Sequence, residues 1–316
     1  MAVYTQVGAD ELARLLERFD VGEPVALKGI AEGIENSNFL LDTTRSRYIL
    51  TLYEKRVSEI DLPFFLDLIQ HLAGRGLPVP RALANRKGER IQRVAGRPAC
   101  LIEFLPGLAV TESTPEKARA AGEALGRMHA ASVGFDRTRP NSLGMEAWRP
   151  LLERCGTAAD EVAPGLYARL DEALAQIERE WPHQLPRAVI HADLFPDNVL
   201  MLGDRVTGLI DFYFACTDVR AYDLAVMHSA WAFDLAGERY DAGVGRALVE
   251  GYRSAFHLSN EERRALSVLA RGACVRFALT RTWDWLNTPA DALVTRKDPL
   301  AYVRRLESYE REDLFA

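Results

Sequence analysis

One stretch, Val189 to Phe212 (VIHADLFPDNVLMLGDRVTGLIDF), constrains this chain more than any other. Ala188, Val189 and Ile190 are apolar and few enough for a short buried strand that delivers His191 and Asp193 into a loop. Pro196 stops that loop from continuing as a helix. Asn198 to Leu202 and Val206 to Phe212 then read as two strands joined by Gly203-Asp204-Arg205, a hairpin turn signal. Such a hairpin brings Asn198 and Asp211 together although they are distant in sequence.

His191, Asp193 and Asn198 stand in the order H-x-D-x-x-x-x-N, and Asp211 ends the next apolar run. Two oxygen donors side by side suit Mg²⁺, which takes one or two protein ligands and fills its sphere with phosphate oxygens and waters. The whole is the layout of a phosphotransferase catalytic loop. Phosphoryl transfer demands positioning and charge neutralisation around a loose transition state. Asp193 is therefore the candidate that accepts or orients the proton of an attacking hydroxyl, and Asn198 with Asp211 the candidate metal ligands. His191 completes the catalytic group as the residue that fixes the loop. Three spaced positions recur by chance, so the weight rests on the strand, loop, hairpin and second carboxylate around them. Two other readings stay open on these residues: a hydrolytic metal cluster of His191, Asp193 and Asp197, which lacks a nearby second histidine, and a structural His and Asp in a turn.

With 316 residues, 48% of them hydrophobic, the chain can bury a large core, and its length suggests two subdomains. A net charge of −6 argues against a general nucleic-acid binder. Cys100, Cys155, Cys216 and Cys274 form no C-x-x-C pair, which fits reduced thiols and neither a zinc ribbon nor a disulfide framework. The opening residues lack a basic region followed by an apolar one, and no apolar run reaches membrane length. A cytoplasmic protein without a membrane partner is expected, and its oligomeric state is not legible.

Ahead of the central stretch, Asp10 to Phe19 has the apolar spacing of a short amphipathic helix, with Asp10 as its N-cap. Val25 to Leu27, then KGIAEGIENSN, then Phe39 to Leu41 read as strand, glycine-bearing loop, strand. Gly33, Asn36, Ser37 and Asn38 are candidates to let backbone N–H groups approach phosphates, although a plain hairpin turn fits equally well. Arg47 to Glu54 is a strand rich in β formers. In a kinase-like lobe this third strand presents a lysine to the phosphates, and here Thr51 stands at that position, which leaves Lys55 or Lys28 as substitutes. A helix follows from Ser58, its expected cap, to Gly74, with Glu59 in its first turn. The apolar run ending at Glu103-Phe104-Leu105 meets Pro106-Gly107, a natural break where the main chain around Glu103 and Leu105 is a candidate adenine contact.

Beyond the break, Thr114-Pro115 starts a helix to about Ala131, and Trp148 to Trp181 reads as two helices broken at Pro164-Gly165. After Asp211 there is no room for a long regulated loop, because Tyr222-Asp223-Leu224-Ala225 already begins a helix. Asp223 suits a carboxylate at that helix start, accepting hydrogen bonds from the catalytic loop. The last third is helical. Arg276 and Arg281 lie on different faces of one helix, and either is the candidate fork for a substrate carboxylate.

The segments GIENSNFLL, YILTLYEKR, LPVPRAL, LIEFLPG, IHADLFPDNVL, GLIDFYFAC and YDLA resemble, in this order, the aminoglycoside phosphotransferase and choline kinase-like family over nearly the whole chain. Within it, GIAEGIENSNF, LIDFYFAC, RFALTR and Lys297-Asp298-Pro299 are similar to the members that act on L-homoserine. The resemblance implies an α+β, bilobal, protein-kinase-like fold: an amino-terminal nucleotide-binding lobe with an antiparallel sheet, residues 1–105, and a larger, mostly helical catalytic and substrate-binding lobe, residues 106–316. It also implies ATP-dependent phosphorylation of the homoserine side-chain hydroxyl for threonine biosynthesis, with Asp193 as base and Asn198 and Asp211 on Mg²⁺. The alternatives are a kinase for choline, methylthioribose or an aminoglycoside, and a nucleotide-binding pseudokinase that the threonine at position 51 would suit.

Overall fold

The computed structural model describes residues 5–30, 36–54, 57–288 and 296–315. The chain divides into two compact units, Met1–Pro106 and Gly107–Ala316. The first contains α1 (Ala9–Leu16), β1 (Pro24–Gly29), β2 (Asn36–Thr43), β3 (Arg47–Tyr53), α2 (Leu62–Gly74), β4 (Gln92–Val94) and β5 (Arg97–Glu103). Its five strands form one antiparallel sheet in the order β1-β2-β3-β5-β4. Alternation along β3 sends Leu50 and Leu52 to one face, where they meet Phe39 and Leu41 of β2, Leu101 of β5 and the apolar stripe of α1.

Several local expectations shift. Gly8 caps α1, and Asp10 sits in its first turn, where the helix dipole favours a carboxylate. Asp61 precedes α2 in place of Ser58, and Pro63 fits the first turn because that turn needs no N–H there. Glu59 therefore falls outside α2, where its carboxylate pairs with Arg93 at 2.7 Å. Asn36, Ser37 and Asn38 belong to β2 and not to a loop, opposite Tyr53, Leu52 and Thr51 of β3. Gly33 and Lys55 lie outside the described residues.

The second unit runs β6 (Leu108–Ala109), α3 (Pro115–Ser132), α4 (Met145–Cys155), α5 (Leu166–Glu180), β7 (Arg187–Ile190), β8 (Val199–Leu202), β9 (Arg205–Leu209), β10 (Cys216–Val219), α6 (Arg220–Trp231), α7 (Ala242–Ala255), α8 (Asn260–Asn287) and α9 (Leu300–Arg311). Thr114 caps α3 by accepting the Lys117 N–H, with Pro115 in the first turn as expected. The helix lies against α7 with almost no gap: a Cβ at Gly122 or Gly251 would collide with the carbonyl oxygens of Leu248 and Arg119. The long α8 starts from a capping box made by Ser259 and Glu262. The buried Glu262 also takes both arms of Arg220 from the start of α6, which ties these two helices together.

Two small sheets frame the central stretch. β7 pairs antiparallel with β10, Ile190 opposite Cys216, and β6, β8 and β9 form a three-stranded ladder. Gly203 makes the hairpin turn with φ 61°. Pro196 opens a single 3₁₀ turn, Pro196–Asn198, because its fixed φ suits the first position of such a turn. The second strand of the hairpin stops at Leu209, three residues before the expected Phe212, since Asp211 turns left-handed at φ 67°. The four cysteines are free and buried. No helix among the described residues is long and apolar enough to cross a membrane.

Candidate active site

The ladder of β7 and β10 holds both ends of the site, since Ile190 leads into His191 and Cys216 follows closely after Asp211. The loop between is pinned residue by residue. His191 is fully buried, with Nε2 2.9 Å from the Ile210 carbonyl oxygen and Nδ1 3.3 Å from the Asp193 N–H. Those partners require a neutral ring with its proton on Nε2, and burial lowers its pKa in the same sense. With both nitrogens engaged inside the protein, His191 shapes the loop from behind and is not a metal ligand.

Asp223 lies in the first turn of α6, fully buried. Its two oxygens accept the N–H groups of His191 and Ala192, each at 2.7 Å, and His129 Nε2 is 3.1 Å away. Burial opposes the charge, yet His129 and these donors hold the Asp223 carboxyl below the usual carboxylate range. This is the supporting role its place at the helix start suggests. His129 is fixed in turn by the Tyr252 hydroxyl at 2.9 Å. Further along, Trp231 Nε1 donates to the Leu194 carbonyl oxygen at 3.0 Å, and the Phe195 ring packs on Phe277 of α8 and Tyr302 of α9.

Asp193 emerges from this scaffold half-buried. Burial pushes its carboxyl up to about 8, opposed by the Arg276 guanidinium and reinforced by the Asp211 carboxylate. Asn198 Nδ2 donates to the Asp193 main-chain oxygen at 2.7 Å, which turns its Oδ1 away from that contact. The Ile210 N–H closes the hairpin on the Asn198 carbonyl oxygen at 3.0 Å, and Asp211 is the next residue, exposed. An amide oxygen and a carboxylate at adjoining hairpin ends, with Asp197 adding a further like charge felt by Asp193, form a donor set of the hard oxygen type that fits Mg²⁺. No three His, Cys, Asp or Glu side chains converge as a metal cluster among the described residues, so the hydrolytic metal reading has no support.

The candidates in the first unit are occupied otherwise. Ser37 is fully buried and donates to Glu54 at 2.7 Å, while Asn36 is 5% exposed. Thr51, in the place of a lysine, donates its hydroxyl to Asn38 Oδ1 at 2.8 Å. The Glu103 carboxylate grips Arg81 through Nε at 3.0 Å and Nη2 at 2.5 Å, and Leu105 is half-buried. In the second unit Arg281 is half-buried, donates to the Asp298 carbonyl oxygen at 3.0 Å and lies 4.5 Å over the Tyr302 ring. Arg276 is buried and donates to the Ala192 carbonyl oxygen at 2.5 Å.

A strand that hands an aspartate and an asparagine to a pinned loop, followed by a hairpin ending in a second aspartate, defines a phosphotransferase of the protein-kinase-like class. The chain belongs to the phosphotransferase enzyme family, whose model matches residues 26–258, and within it groups with the homoserine kinases. It is 52% identical to a homoserine kinase of Methylobacterium sp. (strain 4-46) over 98% of this chain and 97% of that one. Identity to a homoserine kinase of Gluconobacter oxydans (strain 621H) is 50%, over 98% of each. Among solved structures, the amicoumacin kinase hAmiN superposes with a TM-score of 0.72 at 15% identity, over 96% of this chain and 94% of that one, and shares the fold.

Proposed function

We propose that this chain transfers the γ-phosphoryl group of ATP to the side-chain hydroxyl of L-homoserine, giving O-phospho-L-homoserine. The observation that carries the chemistry is Asp193, held beside Asn198 at the mouth of the pinned loop and within the field of Asp211. Identity of about half over nearly the full length of homoserine kinases supports the choice of acceptor.

Asp193 is the base that orients the homoserine hydroxyl and takes its proton as the new P–O bond forms. In its ionised form the carboxylate accepts that proton, and burial, which raises its affinity for protons, makes it a stronger base than a solvated carboxylate. His191 keeps the loop in register. Asn198 and Asp211 would hold Mg²⁺, which when bound would offset part of the charge of the triphosphate. Homoserine is zwitterionic, so its carboxylate calls for a guanidinium fork. Arg281 fits that part, because it is only half-buried, retains donors beyond the Asp298 contact and lies within electrostatic reach of Asp193. The first unit takes the nucleotide, with the main chain at Glu103 and Leu105 as its adenine side; Asn36, Ser37 and Asn38, built into β2 and engaged with β3 and Glu54, are not assigned to the phosphates.

The test is ADP release by purified enzyme with homoserine, choline, a methylthiosugar and an aminoglycoside. Homoserine is expected to dominate, and a preference for any of the others refutes the acceptor.

A further inference from the structure

Arg276 has not been accounted for by this chemistry. It stands midway along α8, 2% exposed, with its guanidinium 4.5 Å from the Phe277 ring and 5.7 Å from that of Phe214. Its one short polar contact to the catalytic loop is Nη1 to the Ala192 carbonyl oxygen, 2.5 Å. Ala192 has φ 65°, a left-handed backbone that an alanine adopts only under restraint. The restraint is visible on both sides. Asp223 accepts the N–H groups of His191 and Ala192, and Arg276 donates to the carbonyl of Ala192, so an anion and a cation grip consecutive peptide units at their complementary ends. The residue after Ala192 is Asp193.

We propose that Arg276 is a positioning residue of the phosphoryl transfer: its guanidinium locks the Ala192 peptide in the left-handed conformation and thereby aims the Asp193 carboxylate, and it does not bind the substrate carboxylate. Burial and the main-chain contact set it apart from Arg281, which has partial exposure and donors to spare. A cavity of about 200 Å³ adjoins Arg276 between α4 and α8, lined also by Leu143, Trp148, Leu151, Arg154 and Thr280. That space lets a small cation reach the vacancy an alanine would leave.

The inference rests on the homoserine kinase reading, so the test has a kinetic arm and a structural arm. In steady-state kinetics Arg276→Ala is expected to lower kcat about 100-fold while the homoserine KM stays within about threefold, the pattern of lost positioning and not of lost binding. Arg276→Lys, which keeps one donor, is expected to recover about tenfold of that loss, and guanidinium at millimolar concentration is expected to raise the rate of the alanine variant but not of the wild type. A homoserine KM raised tenfold or more with kcat unchanged makes Arg276 a substrate ligand and overturns the proposal, as does an unchanged kcat. In the structural arm, amide hydrogen exchange of the peptide spanning residues 189–195 is expected to be about tenfold faster in Arg276→Ala and Arg276→Lys, with β7 and α8 protection retained. Should the wild type fail to turn over homoserine, the functional reading falls alone, and equal exchange rates in wild type and variants refute the clamp. If Arg276→Ala does not fold, Arg276→Lys carries both arms, and a lysine variant with wild-type kcat and exchange refutes it.

Discussion

Replacing Asp223 by asparagine removes one charge and turns one acceptor into a donor with hardly any change in volume. The carboxylate serves three donors, the N–H groups of His191 and Ala192 at 2.7 Å and His129 Nε2 at 3.1 Å. In the amide, one former acceptor atom becomes NH₂ and faces an N–H donor that has no other outlet in a fully buried site. A hydrogen bond to a charged group contributes about 1.5–3 kcal/mol and a stranded buried donor costs about 1–3 kcal/mol, so a loss of about 3 kcal/mol is expected. For a unit of this size that is a fall in Tm of about 6–12 °C. The same change frees the Ala192 peptide, and loss of aim at Asp193 is expected to lower kcat about 100-fold, with KM for both substrates nearly unchanged. The sign with pH follows from the lowered folded pKa of Asp223: its contribution is fully present above the unfolded carboxylate value of about 4 and is lost only as pH falls through the still lower folded value. The gap between wild type and Asp223→Asn is therefore flat from mildly acid to mildly alkaline pH and closes only in strong acid. Urea unfolding at several pH values and steady-state kinetics measure both parts. A variant within about 0.5 kcal/mol of wild type, or one that keeps its kcat, refutes the anchoring role.

Asp193 behaves in the opposite sense. Its folded pKa, up to about 8, lies above the unfolded one, so the native state holds the proton more tightly and stability without ligands falls as pH rises from about 4 through about 8. Asp193→Asn is expected to remove this slope and to be more stable at pH 8 by on the order of 2 kcal/mol, allowing for partial exposure, while turnover drops at least about 100-fold. Thermal scans across pH check the first, and a stability curve with an unchanged slope counts against the buried carboxylate. Asp211→Asn is expected to raise the Mg²⁺ concentration for half-maximal rate about tenfold or more, since a neutral ligand replaces one of two protein donors; a metal titration of the rate at saturating ATP decides it, and an unshifted midpoint removes Asp211 from the metal site.

The parts of the site that were legible in the sequence are those made by neighbours in the chain. His191, Asp193 and Asn198 share one loop, and the turn at Gly203 predicts that Asp211 comes back beside Asn198. Even Asp223 was readable, because a carboxylate in a first helical turn is a common acceptor. The amino-terminal elements were readable in kind but not in their ends: Gly8 and Asp61 cap helices where Asp10 and Ser58 carried the stronger side-chain signal, as backbone geometry overrode side-chain preference. The placement of Asn36 to Asn38 in β2 also escaped, since asparagine and serine favour loops and only the pairing with β3 makes them strand residues. β10 was missed because CTDV is four residues long and has no alternation of its own; it is a strand only because β7 lies beside it.

What no local pattern reveals is how the loop is held. The groups that grip residues 191–194 come from three helices: His129 through Asp223 from α3 and α6, Trp231 from the end of α6, and Arg276 from α8. Arg276 and Ala192 are 84 residues apart, and an arginine in the middle of a helix reads as easily as a solvated or substrate-facing side chain. The physical need for these remote groups follows from the loop itself. A segment that places an alanine at positive φ and an aspartate in a partly dry site is held by its own His191 and Asn198 only in part, and hydrogen bonds from rigid helices offset the remaining strain and desolvation. A motif search finds the atoms that react, whereas the residues that aim them lie wherever the fold brings a donor within reach of a main-chain carbonyl, and only their buried hydrogen bonds identify them.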